Sequence, residues 1–228
     1  MSNLTPKRRK QLLKGFNGPG RLMTRALVRR LGADEANAVD AKAKKLYQEL
    51  IEDLPHRVTF MAGARDATYV YLAFYKVLAE RGMTADEVGE LYGEAWAGNP
   101  GRNIPSWLPR LLVRPLLPLI RRKIRKDAAL SQERRDPNDF VFSYVEPDDG
   151  NDFAIDITDC AVCKGFKRHG AEEVIPYLCA LDDKMSAQMG FGLRRTGTRA
   201  LGAECCDFRY KLGGEPQAIR PRTLTVIE

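Results

Sequence analysis

At 228 residues the chain is long enough to bury a hydrophobic core as one domain, with or without a helical annex. Hydrophobic residues at 44% and charged residues at 29% are ordinary for a globular protein, and no long uncharged apolar run is present to span a membrane. The basic N-terminus lacks the apolar stretch of a secretory signal. With 5 cysteines, an odd number, this predicts free thiols in a reducing cytoplasm, not a disulfide framework; the +7 charge favours anionic partners without specifying nucleic acid.

The chain divides by composition into a basic N-terminal arm (1–32), a helical region (33–135) and an α+β core (136–228). The arm is dense in Lys7, Arg8, Arg9, Lys10, Arg21, Arg25, Arg29 and Arg30. From Ala33 to Leu54, apolar Ala38, Ala41, Leu46, Leu50 and Ile51 have helical spacing. Thr68 to Arg81 predicts a second helix, stopped by Gly82. Thr84 and Glu87 form a capping-box pair that opens a third, running to Trp96. A loop follows to Pro109. Between Trp107 and Lys126, arginines and lysines interleave with leucines, and Pro109, Pro115 and Pro118 argue against one long helix. This block reads as an apolar segment packed on the body with its basic groups solvated, the alternative being a membrane-surface contact. No nucleic-acid module accompanies the charge.

The last part differs in kind. Phe140, Phe142 and Tyr144 alternate with smaller or polar residues, a turn covers Pro147 to Asp152, and Phe153, Ile155 and Ile157 alternate again, which predicts a β-hairpin. A helix is expected from Cys160 to His169, then a helical pair over Ala171–Met189 divided at Pro176. A second hairpin is expected over Arg194–Tyr210, turning at Gly202 and Ala203. Pairing about that turn places Thr198 opposite Asp207 and Thr196 opposite Arg209. Arg194, Thr196, Thr198, Asp207 and Arg209 then share one face, and Leu193, Cys206, Phe208 and Tyr210 the other. The fold class is α+β: a helical N-terminal half, then an antiparallel sheet of two hairpins, strand-strand-helices-strand-strand, with helices on one face.

Chemistry-bearing residues concentrate here. Cys160 stands where a strand passes into a helix, with Asp159 or Thr158 as expected N-cap, a place that lowers a thiol's pKa. Cys179 and Asp182 are one helical turn apart, a spacing that lets a thiol attack while a carboxylate moves protons. Zinc could draw on Cys160, Cys163, Cys179, Cys206 or His169, but the spacings match no standard ligand set, so no cofactor is expected. Two histidines and no nucleophile-elbow motif argue against a Ser–His system.

The runs Asp156–Cys160 (Asp-Ile-Thr-Asp-Cys), Leu178–Asp182 (Leu-Cys-Ala-Leu-Asp), Arg195–Thr198 and Gly202–Arg209 resemble the L-2-amino-thiazoline-4-carboxylic acid hydrolase family. The resemblance spans about residues 40–212, with specific motifs from Asp156 onward. The strand–helix–strand layout also resembles vinyl-reductase-type small-molecule-binding domains. Family membership implies hydrolysis of a C–N or C–S bond in a small, amidine-like, carboxylated substrate. It further implies that Cys160, Cys179, Cys206 and Asp182 gather as catalytic residues, with Cys160 or Cys179 attacking or a water activated by Asp182 or Asp156, while Cys163 and Cys205 fall outside the pattern and are read as packing residues or variants. Arg195 or Arg209 would clamp the substrate carboxylate, Thr196 or Thr198 would orient it, and Asp156 is a second proton carrier. By the predicted pairing Arg195 faces inward with Cys206, where a guanidinium needs a carboxylate partner, either Asp182 or the substrate carboxylate. The expected protein is a cytoplasmic enzyme of small-molecule metabolism or biosynthesis; homo-oligomerisation is open. The alternatives are a non-catalytic binding domain for an apolar or tetrapyrrole-like ligand, and an accessory protein working through 107–126.

Overall fold

The computed structural model describes residues 4–54, 58–99 and 107–217. Its first half is helical. Helix α1 (Pro6–Leu31) starts where Thr5 Oγ1 accepts the Arg8 N–H at 3.3 Å, with proline in the first turn. Its buried stripe of Leu12, Phe16, Met23, Ala26 and Leu27 packs on α2 (Ala33–Leu50), α3 (Ala62–Ala79) and α4 (Ala85–Ala97). The capping box at Thr84 is formed in full, Glu87 N–H reaching Thr84 Oγ1 at 3.3 Å and Thr84 N–H reaching Glu87 Oε2 at 2.8 Å.

Helix α2 ends at Leu50, and Ile51–Asp53 tighten into a 3₁₀ turn short of the expected Leu54. Helix α3 begins six residues before the expected Thr68. The reason is a buried ion network: Arg65 pairs with Asp139 at 2.8 Å and Asp66 at 3.0 Å, and Arg8 reaches Asp66. Charged residues inside a core break the apolar periodicity that marks a helix. Trp107 and the residues after it are helical, not loop: α5 (Trp107–Val113) is followed by a 3₁₀ turn at Arg114–Leu116 and by α6 (Leu117–Gln132). The remainder of the expected Gly98–Pro109 loop falls mostly outside the described residues.

Strands β1 (Val141–Val145) and β2 (Phe153–Asp159) form the first hairpin. Three helices follow: α7 (Ala161–Arg168), α8 (Ile175–Cys179) and α9 (Asp182–Gln188). Pro176 lies in the first turn of α8, where its missing N–H costs nothing, so the helical text divides after Cys179 and not at the proline. Strands β3 (Phe191–Arg194) and β4 (Cys206–Leu212) complete a sheet of order β1-β2-β4-β3, antiparallel throughout. The architecture is α+β.

The second hairpin pairs two residues out of the expected register: Arg194, not Thr196, lies opposite Arg209. Residues 195–205 leave the sheet and fold over through a 3₁₀ turn at Arg199–Leu201 and Gly202, whose φ is 89°. Asp207 holds this excursion, accepting the backbone N–H of Thr196 at 2.9 Å and of Gly197 at 3.0 Å, and the Thr196 hydroxyl at 2.8 Å. A slip of two leaves every in-strand side chain on its expected face. Thus Leu193, Cys206, Phe208 and Tyr210 share the inner face with Phe142, Phe153, Ile155 and Ile157, covered in part by α6 through Ile124 and Ala128.

Two hydrophobic cores result. The helical one takes in Phe166, Ile175, Tyr177 and Leu178 from α7 and α8; the other is the inner face of the sheet. Val162 packs against both. Cys163 and Cys179 border the helical core, Cys160 and Cys206 the sheet core, so the thiols line the seam.

Candidate active site

Cys160 is itself the N-cap of α7, its sulfur accepting the Cys163 N–H at 3.5 Å. Asp159 and Thr158 were expected there. Instead Asp159 pairs with Arg134 at 2.6 Å and Lys164 at 3.2 Å, and the Thr158 hydroxyl donates to the Val141 carbonyl at 3.3 Å. The Cys160 thiol is not acidified: the Cys163 side chain and burial push its pKa well above the ordinary range, although the N–H groups of Cys163 and Val162 pull the other way. The neighbouring Cys163 side chain and burial together outweigh the two helix N-terminal N–H groups.

Across the seam, Cys179 closes α8 and Asp182 opens α9. Arg195 leaves the end of β3 and turns inward, its side chain 1% exposed. One terminal nitrogen donates to Asp182 Oδ2 at 2.7 Å, the other to the Cys179 carbonyl, and the guanidinium carbon lies 5.2 Å from the Phe208 ring centroid. The carboxylate partner that an inward Arg195 requires is therefore Asp182. Burial raises the Asp182 pKa against the opposing pull of Arg195, yet its side chain remains 34% exposed and open to a ligand. Cys206, on β4, accepts the Arg199 N–H at 3.1 Å, and burial pushes its thiol up to about 12. Burial, then the Asp182 charge, raises the Cys179 thiol as well. The Cys179 thiol feels the charges of Asp182, Cys160, Arg195 and Cys206, and the Cys206 thiol those of Cys160, Arg195 and Asp182.

Sequence reasoning missed several neighbours. Cys163, outside the family pattern, donates its backbone N–H to Cys160 Sγ, and its side chain raises the Cys160 thiol pKa. Tyr210 feels the charges of Asp182 and Arg195; its alternation with Cys206 along β4 already put it on this face. Asp183 is buried next to Asp182, and its charge reaches Arg195. Three buried polar atoms on these segments have no partner: Arg195 Nε, Asp183 Oδ1 and the Thr198 hydroxyl. Such orphans need an occupant, a ligand or water.

Other candidates lie elsewhere. Thr196 is exposed and bound to Asp207. Arg209 and Asp156 pair at 2.7 Å on the outer face of the sheet, away from the thiols. Cys205 neighbours Asp156 and Asp207 on the same outer side. His169 stacks edge-on against Tyr69 at 6.2 Å. Among the described residues no group of three or more His, Cys, Asp or Glu side chains is arranged to hold a metal ion.

An antiparallel sheet with helices on one face, meeting a helical bundle at a seam of thiols and carboxylates, defines an α+β protein with a candidate site at that seam. Residues 63–210 match the model of the L-2-amino-thiazoline-4-carboxylic acid hydrolase family, and the chain belongs to that family. The match begins inside α3 and ends at Tyr210, so it takes in the whole thiol seam and leaves α1 and α2 outside. No curated protein and no solved structure matches the chain.

Proposed function

We propose that the protein hydrolyses a C–N or C–S bond in a small, cyclic, amidine-like carboxylate, with Cys160 as nucleophile and Asp182 as proton carrier. The observation that carries this reading is the Arg195–Asp182 pair set among three thiols beside three unsatisfied buried polar atoms. The Arg195 Nε–H and the Thr198 hydroxyl are donors for a substrate carboxylate. Asp183 Oδ1 is an acceptor for an amidine N–H. Asp182 and the Cys179 carbonyl each take one N–H of the two terminal nitrogens of Arg195, so that arginine holds the proton carrier and presents its unpartnered Nε–H to a ligand.

In this reading Asp182 takes the Cys160 proton as the sulfur adds to the amidine carbon. The Val162 and Cys163 N–H groups favour the thiolate as it forms. Asp182 then gives that proton to the departing ring nitrogen or sulfur. Water attacks the covalent adduct, passes a proton to Asp182, and expels the Cys160 sulfur, which is reprotonated. The sum is substrate plus one water. A carboxylate whose pKa is raised towards neutrality suits both transfers better than an ordinary one.

The test is a mass-spectrometric assay of the purified protein with L-2-amino-thiazoline-4-carboxylate. A product heavier by one water, absent with Cys160→Ser, supports the mechanism. A Cys160→Ser protein with full turnover removes Cys160 from the nucleophile role. A ligand-dependent rise in melting temperature without any product favours the binding-domain reading.

A further inference from the structure

The described residues expose few large hydrophobic side chains, and these are mostly scattered. One group is not: Trp107, Leu111, Leu112 and Leu119 are 60–65% exposed, with Leu116 between them. All five belong to the elbow formed by α5, its 3₁₀ turn and the start of α6. An apolar cluster of this density on a folded chain marks a contact surface.

The same segment holds no acidic residue from Trp107 to Lys126. Of its basic residues, Arg121 is engaged by Asp152, Lys123 by Asp127 and Arg125 by Glu146. Arg110, Arg114, Arg122 and Lys126 have no ion-pair partner among the described residues. Between α5 and the end of β4 lies a cleft of about 690 Å³, in which Arg110, Arg114 and Lys211 meet Trp107, Leu111 and Leu212; its one acidic lining residue among those described, Asp152, is engaged by Arg121 and the Leu212 N–H. Arg110 Nε is buried there without a partner, against Gly213.

We infer that the α5–α6 elbow docks the protein on an anionic membrane surface. The leucines and Trp107 enter the headgroup–acyl boundary, and a lipid phosphate seats between Arg110, Arg114 and Lys211. Interfacial segments combine these two features, apolar side chains on one side and uncompensated Lys and Arg beside them, with tryptophan at headgroup depth. A second copy of the chain is the poorer occupant, because a two-fold contact through this face would set like charges against one another without an acidic partner. Nucleic acid would match the charge but leave the leucines without a role.

The test uses the full chain and flotation with vesicles of phosphatidylcholine alone or mixed with phosphatidylserine, at low and high salt. Binding to the mixed vesicles is expected, weakened by salt, with little binding to phosphatidylcholine alone. In a Trp96→Phe background, Trp107 emission shifts to the blue on binding. Leu111→Gln with Leu112→Gln, at exposed positions remote from the thiols, lowers partitioning about tenfold or more, and Arg114→Glu with Arg122→Glu does likewise. Hydrolysis of a soluble substrate is unchanged in both variants. Absence of flotation at low salt overturns the inference, as does flotation indifferent to the leucine pair. A dimer in solution that Leu111→Gln dissociates, without vesicle binding, assigns the face to a second copy instead.

Discussion

Two Arg–Asp pairs of the same length flank the sheet, Arg209–Asp156 on its strands and Arg195–Asp182 between the end of β3 and α9. Arg195–Asp182 and Arg209–Asp156 both measure 2.7 Å, yet the Arg195 side chain is 1% exposed and that of Arg209 29%. The outer pair is half-solvated, keeps company with Asp207 and Arg194 across the strands, and is screened by water and salt. The inner pair lies under a helical layer, among thiols and aromatic rings, where desolvation costs as much as the attraction returns. Equal geometry therefore carries unequal meaning. Only the arginine separates the two pairs, since Asp182 at 34% is as exposed as Asp156 at 31%; an enclosed guanidinium beside a reachable carboxylate fits the proposed site better than a purely stabilising role.

The comparison breaks hardest at Asp182. Asp182→Asn leaves the Arg195 guanidinium without a counter-charge and lowers stability by about 1–3 kcal/mol in denaturant titration, less than for a fully enclosed pair because Asp182 is 34% exposed. Replacing both partners, Asp182→Asn with Arg195→Met, restores most of that stability but not turnover, which separates the folding role from the chemical one.

The thiols sharpen it next, through pH. With folded-state pKa values above their ordinary 9.0, Cys160, Cys179 and Cys206 stay protonated when the unfolded chain has lost those protons. Their contribution is thus fully present below pH 9.0 and is lost above it, for Cys206 until about 12. The slope is about 1.4 kcal/mol per pH unit for each thiol within its window. Stability curves between pH 8 and 11 should flatten in Cys206→Ser relative to the parent chain. Asp207 runs the opposite way. Its backbone N–H partners lower its pKa against burial, so its contribution is present above the ordinary 3.8 and is lost as pH falls through the lowered value.

Asp207→Ala removes the bonds that hold residues 195–205 against the sheet. We expect a loss of about 1–2 kcal/mol, with a larger fall in kcat/KM than in stability because Arg195 and Thr198 ride on that loop. The smallest effect belongs to the outer pair. Arg209→Ala or Asp156→Asn should cost about 1 kcal/mol or less, shrink further with added salt, and leave turnover near that of the parent. Strong inactivation by either would place the outer face in the chemistry.

Much of the frame was legible from residue pattern. The Thr84–Glu87 box, the alternation of Phe153, Ile155 and Ile157, and the inward face of Cys206, Phe208 and Tyr210 all follow from periods of 3.6 and 2, which act over a few neighbouring residues. The even slip of β3 against β4 spared the faces but not the connection: Thr196 and Thr198 were read as strand residues, and both lie in the excursion pinned by Asp207. The early start of α3 escaped notice because Arg65 and Asp66 are buried by partners as distant as Arg8 and Asp139.

The sequence by itself determined the α+β order, the caps, the strand faces, and the need of an inward Arg195 for a carboxylate. Tertiary structure alone decided that Asp182 is that carboxylate, that Cys160 caps its own helix, and that its thiol is held protonated rather than acidified. The physical reason is range. Backbone periodicity and capping are settled within a turn or two of chain, whereas desolvation and charge fields depend on which distant segments arrive at the seam.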